Sequence, residues 1–276
     1  MMKKIALAAA AASVLLSSTA FAADMAPRYA KAPPPVVAVW NWTGFYIGAS
    51  AGGHWADDRI DPAANPVGWG VGGAADLNTF TRTTLHPQGA IVGGQVGYNW
   101  QSGNFVLGVE ADASWVDGTA ARAQIPPVGF LVINAGDRMT NSSKLDFLAT
   151  FRGRAGLAAG DALFYVTGGL AVGELKTSDT FCSFGGPCVG GNLAVVNASE
   201  TRAGWTVGGG IEYHVGGNWT VKAEYLYVDL GTFSPVIPSC ANCAVGSDIT
   251  VNHKYTDNIG RVGLNYKFGG PVVARY

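Results

Sequence analysis

Glycine followed by Asn or Asp stands at the centre of three short connections, Gly103-Asn104, Gly160-Asp161 and Gly217-Asn218, spaced 57 residues apart (103, 160, 217). Each pair supplies the positive φ that a tight hairpin turn needs. Each is flanked by segments in which apolar residues take every second position, the period of a β-strand with two unlike faces. Eight such segments are predicted, at about 42–55, 89–101, 105–117, 144–157, 163–174, 202–214, 219–230 and 255–268. The other four connections, 56–88, 118–143, 175–201 and 231–254, are long. Strict alternation of short and long puts every tight turn at one end, and an even strand count brings both chain ends back to that end. A soluble sandwich has no cause to sort its loops this way. A barrel with short turns on one side of a membrane and long connections on the other does.

The remaining composition agrees. Charged residues are 13% of the chain against about 25% in soluble domains, and there are 39 Gly. No stretch holds the ~18 consecutive apolar residues of a membrane helix. Lys3 and Lys4, an apolar run from Ile5 to Leu16 and Ala20-Phe21-Ala22 read as a cleaved export signal over residues 1–22. Removing Lys3 and Lys4 from the 18 basic residues leaves 16 against 19 acidic, a net charge of −3 that gives nucleic acid no footing. The domain reading is then a signal at 1–22, an extended Pro-rich linker at 23–40, a barrel at 41–268 and a short tail at 269–276.

Orientation follows from where the aromatics and charges fall. Phe105, Leu107, Val109, Ala111 and Ala113 form one row, with Glu110 and Asp112 behind it. Leu145, Phe147, Ala149 and Phe151 oppose Asp146, Thr150, Arg152 and Arg154. Trp205, Val207 and Ile211 oppose Glu212, and Trp219, Val221, Ala223 and Tyr225 oppose Lys222 and Glu224. Aromatics rim the apolar rows near the turns (Trp100, Phe105, Tyr213, Trp219, Tyr266, Phe268) and again near the long connections (Trp55, Trp115, Tyr227, Tyr255). Two such girdles bracket a lipid-facing band. A lipocalin-like barrel, apolar inside, would need more charge outside than these strands carry. The charges therefore belong in the lumen. Glu110, Asp112, Asp146, Glu212 and Glu224 balance Arg152, Arg154, Lys222, Arg261 and Lys267, five against five. An eight-strand barrel is just wide enough for side chains to fill, so these ten residues are expected to pair as a plug. The competing reading is a narrow channel, with inward Gly93, Gly97, Gly208 and Gly210 leaving polar gaps or, as preferred, seating neighbouring side chains.

Other motifs carry less. Cys182, Cys188, Cys240 and Cys243 are disulfide candidates in an oxidising compartment. Three pairings exist, the local 182–188 and 240–243 being preferred, and zinc is disfavoured because only Cys240 and Cys243 have ligand spacing. Gly68-x-Gly70-x-x-Gly73 lacks a βαβ setting and reads as loop. Sequons at 41, 141, 197 and 218 read as plain strand and loop. His54, His86, His214 and His253 lack ligand spacing and read as surface histidines rather than haem or metal ligands. Ser247, Asp248 and His253 are the sole hint of catalysis, too weak to outweigh a non-enzymatic reading. No cofactor is expected.

"APRYAKAPPPV" (26–36), "WNWTGFYIGASAGGHW" (40–55) and "RVGLNYKF" (261–268) resemble the alphaproteobacterial small outer-membrane surface-antigen family, RopB-type proteins among them. The resemblance implies an all-β, eight-stranded antiparallel up-and-down transmembrane barrel with periplasmic termini and an envelope-integrity and surface-antigen role. An adhesin working through the outer loops is the third class. It further implies outer-membrane lipids and lipopolysaccharide as surroundings. Periplasmic chaperones and the barrel-assembly machinery become partners that read Val262, Leu264, Tyr266 and Phe268 as an assembly signal. The linker is the segment that would reach peptidoglycan.

Overall fold

The computed structural model describes residues 40–124, 138–182, 193–239 and 244–269. The export signal, the linker up to Val39, the tail beyond Gly269, and Cys188, Cys240 and Cys243 lie outside the described residues. Eight long strands form an antiparallel ring: β1 (Gly44–Ala64), β3 (Gln88–Ser102), β4 (Phe105–Val116), β6 (Arg138–Ala159), β7 (Ala162–Cys182), β8 (Leu193–Gly216), β9 (Trp219–Phe233) and β11 (Ile249–Lys267). Each pairs with its neighbour in sequence order, and β11 closes on β1 from Tyr46↔Lys267 to Ala64↔Ile249. Gly103, Gly160 and Gly217 stand at φ 60°, 62° and 58° in the three tight turns, with nothing near the position a Cβ would take.

The apolar rows face outward. Val92, Leu107, Phe151, Val166, Val207 and Val262 are all exposed, as are the girdle residues Trp100, Phe105, Tyr213 and Trp219. Trp55, Trp115 and Trp205 are exposed at the other rim, whereas Tyr255, expected there, is wholly buried inside. Phe105 and Trp115 are ten residues apart on one strand, about 33 Å of strand. At a tilt of about 40° that gives about 25 Å of height, the depth of an outer-membrane apolar band.

The strands run well past the outer girdle, and this corrects the sequence reading. What was expected as loop is largely sheet: β1 continues to Ala64, β6 begins at Arg138, β7 reaches Cys182 and β8 begins at Leu193. Short β2 (Thr83–Leu85), β5 (Thr119–Gln124) and β10 (Val236–Ile237) pair with β1, β6 and β11. Above the membrane the outward face is polar, so the alternation that marked the strands vanishes there although the ladder continues. The glycine run at 68–73 is not loop either but part of helix α1 (Pro66–Thr81). Asn65 caps it by accepting from the Val67 N–H, and Pro66 occupies the first turn, where its missing donor costs nothing. Gly70, at φ 67°, kinks the helix. Leu77 is buried against Ile60, Leu85, Met139, Phe181, Ile237, Ile249 and Val251. The helix thus caps the outer end of the ring.

Candidate functional site

The lumen is filled in tiers. At the tight-turn end the segment before β1 folds into the mouth. Trp40 stacks on His214 with ring centroids 3.8 Å apart, and Trp42, 1% exposed, meets it edge-on at 6.0 Å. The Trp42 N–H donates to Gln101 Oε1 at 2.7 Å. Trp40 was expected in an unpacked linker; its ring is instead part of the closure.

Next comes the charged tier. Arg152 donates from Nη2 to Glu110 at 2.5 Å and to Asp112 at 2.9 Å, and from Nη1 to Glu224 at 3.0 Å. Arg261 spans Asp112 (3.0 Å) and Glu224 (2.7 Å). Lys222 holds Glu110 at 2.9 Å, and Arg154 holds Glu212 at 2.7 Å. Four acids thus meet four bases, all with side chains no more than 3% exposed. Neutral groups add further hydrogen bonds: Thr150 donates to Asp112, Thr220 and Asn265 to Glu212, Tyr165 to Glu224, while Arg154 Nε is left without a partner. The Tyr46 hydroxyl accepts from Arg154 Nη1 and donates on to Glu110. A buried ion tier persists only when its charges and hydrogen bonds close in this way.

The inward glycines seat these groups. A Cβ on Gly97 would lie 2.4 Å from the Tyr46 ring, and one on Gly210 would lie 2.7 Å from the Tyr165 hydroxyl. They make room for side chains.

Two of the ten charged residues expected to pair in the lumen lie outside the charged tier. Asp146 sits in a β-bulge, where the β6–β7 register slips between Leu145 and Phe147. An extra residue reverses which side chains face in, so Leu145 and Leu148 are buried and Asp146 turns outward to Lys176 (2.5 Å) and Lys144 (2.9 Å). Hydrogen bonds from Lys176 and Lys144 hold its carboxyl below the usual carboxylate range. Lys267 ends β11, six residues from Arg261 or about 20 Å along the strand. It reaches the carbonyls of Asn41 and Thr43 and lies 4.2 Å over the Trp40 ring, so it belongs to the mouth.

Above the ions an apolar disc crosses the lumen: Ile91, Leu148, Leu175, Leu226, Val228 and Ile259, with Leu145 and Tyr255. Sequence reading missed it because β9 is apolar or aromatic on both faces over Tyr225–Val228, which hides the phase. The pair His54–Asp257 (3.0 Å) is set in its wall, and His54 Nε2 meets the Asp117 carbonyl at 3.0 Å.

Beyond the disc and the outer girdle, His253 stands between two carboxylates, Nδ1 to Asp58 at 2.8 Å and Nε2 to Asp179 at 3.1 Å, with Asn141 donating to Asp179. His54 and His253 are both 0% exposed, which overturns their reading as surface histidines. His86 is exposed and pairs with Asp57, and His214 is under Trp40. Burial lowers the His253 pKa, but hydrogen bonds to Asp179 and Asp58 outweigh it and raise it from 6.5 to about 9. The stabilisation is therefore complete below about pH 6.5 and is lost as pH rises through 9. At 1.36 kcal/mol per unit it amounts to about 3 kcal/mol. Urea unfolding in detergent should show this loss between pH 7 and pH 10, and His253→Gln should flatten that limb of the profile.

Ser247 and Asp248 do not join His253. The Ser247 carbonyl accepts from Trp69 and the Asp248 carboxylate from Asn65. Cys182 is disulfide-bonded at the end of β7. On β11, Val262 and Leu264 face outward and Tyr266 packs on Trp219 at 5.0 Å; Phe268, just past its end, is exposed and lies 5.6 Å from Phe45 across the closing seam.

Comparison with known proteins agrees with this architecture. The family model for the outer membrane protein β-barrel domain matches residues 8–268. The 31 kDa outer-membrane immunogenic protein of Brucella melitensis is 33% identical over 97% of this chain and 100% of its own length. The 22 kDa outer membrane protein of Rhizobium leguminosarum bv. viciae is 30% identical over 76% of this chain and 81% of its own. The 25 kDa outer-membrane immunogenic protein of B. melitensis is 25% identical over 94% and 95%. Among solved structures, the Escherichia coli outer membrane protease OmpT covers 82% of this chain and 97% of its own at 10% identity and a TM-score of 0.47, too distant to argue from. This chain belongs to the outer-membrane β-barrel family, among its alphaproteobacterial surface antigens, and resides in the outer membrane of a Gram-negative bacterium.

Proposed function

We propose that this protein is a closed structural barrel that strengthens the outer membrane and raises a rigid antigenic surface above it, with no solute path through its lumen. The observation that carries this reading is the charged tier: eight ionised side chains of zero net charge, each nearly excluded from solvent, between the tryptophan mouth and the apolar disc. Water or ions passing through would have to break that closed set. The histidines support a non-catalytic role, since both ring nitrogens of His54 and of His253 are already engaged and none is free to take a substrate proton.

In this reading the apolar band is surrounded by outer-membrane lipid, with lipopolysaccharide in the outer leaflet. Periplasmic chaperones deliver the chain. The barrel-assembly machinery engages the row Val262, Leu264, Tyr266 and Phe268, and the linker extends toward peptidoglycan. Deletion of the gene should sensitise cells to detergent and bulky apolar antibiotics while leaving uptake of small sugars unchanged. Slowed sugar uptake with an intact detergent barrier would point to the channel instead.

A further inference from the structure

Two pairs of cations face each other across the sheet on its outer wall. Lys144 of β6 stands directly opposite Lys176 of β7, and Arg59 of β1 directly opposite Lys254 of β11. Like charges so placed repel and weaken a ladder. Both pairs are flanked in the same way. Along the row of register partners, Thr119 precedes Lys144 and Ser199 follows Lys176. Thr232 precedes Lys254 and Thr84 follows Arg59. The order hydroxyl, cation, cation, hydroxyl therefore occurs twice. The ring runs β1, β3, β4, β6, β7, β8, β9, β11, so the two rows lie on opposite walls. Their height is alike. Arg59 is four residues beyond the girdle Trp55 on β1. Lys144 is three beyond Phe147, the register partner of the girdle Trp115. At about 3.3 Å per residue and a tilt of about 40°, both rise roughly 5–10 Å above the girdle. That places the cations among the polar headgroups of the outer leaflet.

Nearby carboxylates do not close these pairs as they close the lumen. Asp146 alone serves both Lys144 (2.9 Å) and Lys176 (2.5 Å), with Glu174 farther from Lys176 at 3.6 Å. Asp61 serves both Arg59 (3.2 Å) and Arg82 (2.7 Å), and Lys254 makes no ion pair among the described residues. Of the other acids on that wall, Asp57 is paired with His86, and Asp229 accepts from the Gly231 N–H. The side chains of Lys144, Lys176 and Arg59 stay 37%, 49% and 63% exposed, which leaves donors free toward the outside. Beside Lys144 and Lys176 the wall is hollowed into a groove of about 380 Å³, lined also by Thr119, Ser142, Ser178, Asn197 and Ser199. Hydroxyl and amide groups of this kind hydrogen-bond a sugar, and paired ammonium groups answer a phosphate. The apolar band begins below, toward the girdle.

We propose that each cation pair docks a phosphate of an outer-leaflet phosphoglycolipid, the lipopolysaccharide around the barrel, with the sugar on the flanking hydroxyls and the acyl chains on the band below. The inference rests on the structural reading above and deepens it, by naming the side chains through which the barrel grips the leaflet it strengthens. The ligand brings the anion that each pair lacks, so binding relieves the repulsion across the ladder. A sugar without phosphate offers the cations nothing, and a phosphate without the sugar leaves the flanking hydroxyls unused.

The probe is bisphosphorylated lipid A, titrated into the full-length protein folded in detergent with EDTA present and counted by native mass spectrometry. Wild type should hold two lipid A molecules per barrel. Lys144→Gln with Lys176→Gln should hold one, and so should Arg59→Gln with Lys254→Gln. The quadruple variant should hold neither at the same concentration, a loss of at least about tenfold in affinity. All three variants should keep the heat-modifiable gel mobility of the folded barrel, because these side chains stand outside its core. Dephosphorylated lipid A with the same acyl chains should bind at least about tenfold more weakly, and phosphatidylglycerol should not displace the bisphosphorylated form. Unchanged binding by the quadruple variant, equal binding of dephosphorylated lipid A, or ready displacement by phosphatidylglycerol would each overturn the proposal. Binding seen only after magnesium replaces EDTA would move the site to the carboxylates, against it. Conductance bears on the closed lumen alone and leaves the lipid count untouched, so this inference and the closed-barrel reading can fail separately.

Discussion

Arg152→Ala will cost the barrel about 3–5 kcal/mol of stability, the toll of leaving buried ion-pair partners uncompensated. Arg152 is the hub of the charged tier: one guanidinium answers Glu110, Asp112 and Glu224 at once, at 0% exposure. Arg261 and Lys222 reach the same acids and cannot replace it without abandoning their own contacts. The measurement is urea unfolding in detergent or lipid, read by tryptophan fluorescence and by gel mobility without boiling. Arg152→Lys should fall between wild type and alanine, because an ammonium lacks the planar fork that spans three carboxylates. Asp146→Ala provides the contrast. Its partners Lys144 and Lys176 are solvent-accessible, and its loss should cost no more than about 1 kcal/mol. If the two alanine variants were equally destabilised, the division between lumen and outer face would be misplaced.

Trp42→Ala will cost about 3–5 kcal/mol by emptying the core of the mouth. Its ring is buried among Val106, Ala158, Leu163 and Tyr165, and its backbone N–H is fixed by Gln101. The adjacent Trp40 joins it to His214 and Lys267, so the cavity has little chance to collapse. The same urea titration measures the loss, and phenylalanine at this position should recover about half of it. The charged tier and the apolar disc lie beyond the mouth, so this variant should still not conduct. A Trp42→Ala protein as stable as wild type would show that the segment before β1 closes nothing.

How far the sequence discloses this molecule depends on where two faces differ chemically. Within the apolar band they differ sharply. Phe105, Leu107 and Val109 alternate with Val106, Gly108 and Glu110, and the strand, its orientation and its lumen charges all follow. The tight turns are equally legible, because Gly103, Gly160 and Gly217 need a conformation few other residues adopt. Legibility fails wherever the faces converge. Beyond the girdle Ser142, Ser143, Thr177 and Ser178 are polar on both sides, so continuing strand resembles loop. In β9 the inward Leu226 and Val228 alternate with Tyr225 and Tyr227, and the apolar disc goes unseen. A single bulged residue reverses Asp146, which no periodicity can reveal. His54 and His253 find carboxylates across the closing seam between β1 and β11, at separations of about 200 residues for the His54–Asp257 and His253–Asp58 pairs, and nothing local announces them. Trp40 and Trp42 read as the end of a linker and the start of a strand until the chain is seen to fold back into the mouth.

The central claim is that side chains close the lumen from end to end. Single-channel recording in a planar bilayer tests it most directly, using purified barrel whose insertion is confirmed by its heat-modifiable mobility. The account predicts a silent membrane at physiological salt for the wild-type protein. A steady, reproducible conductance step for each inserted barrel would contradict it.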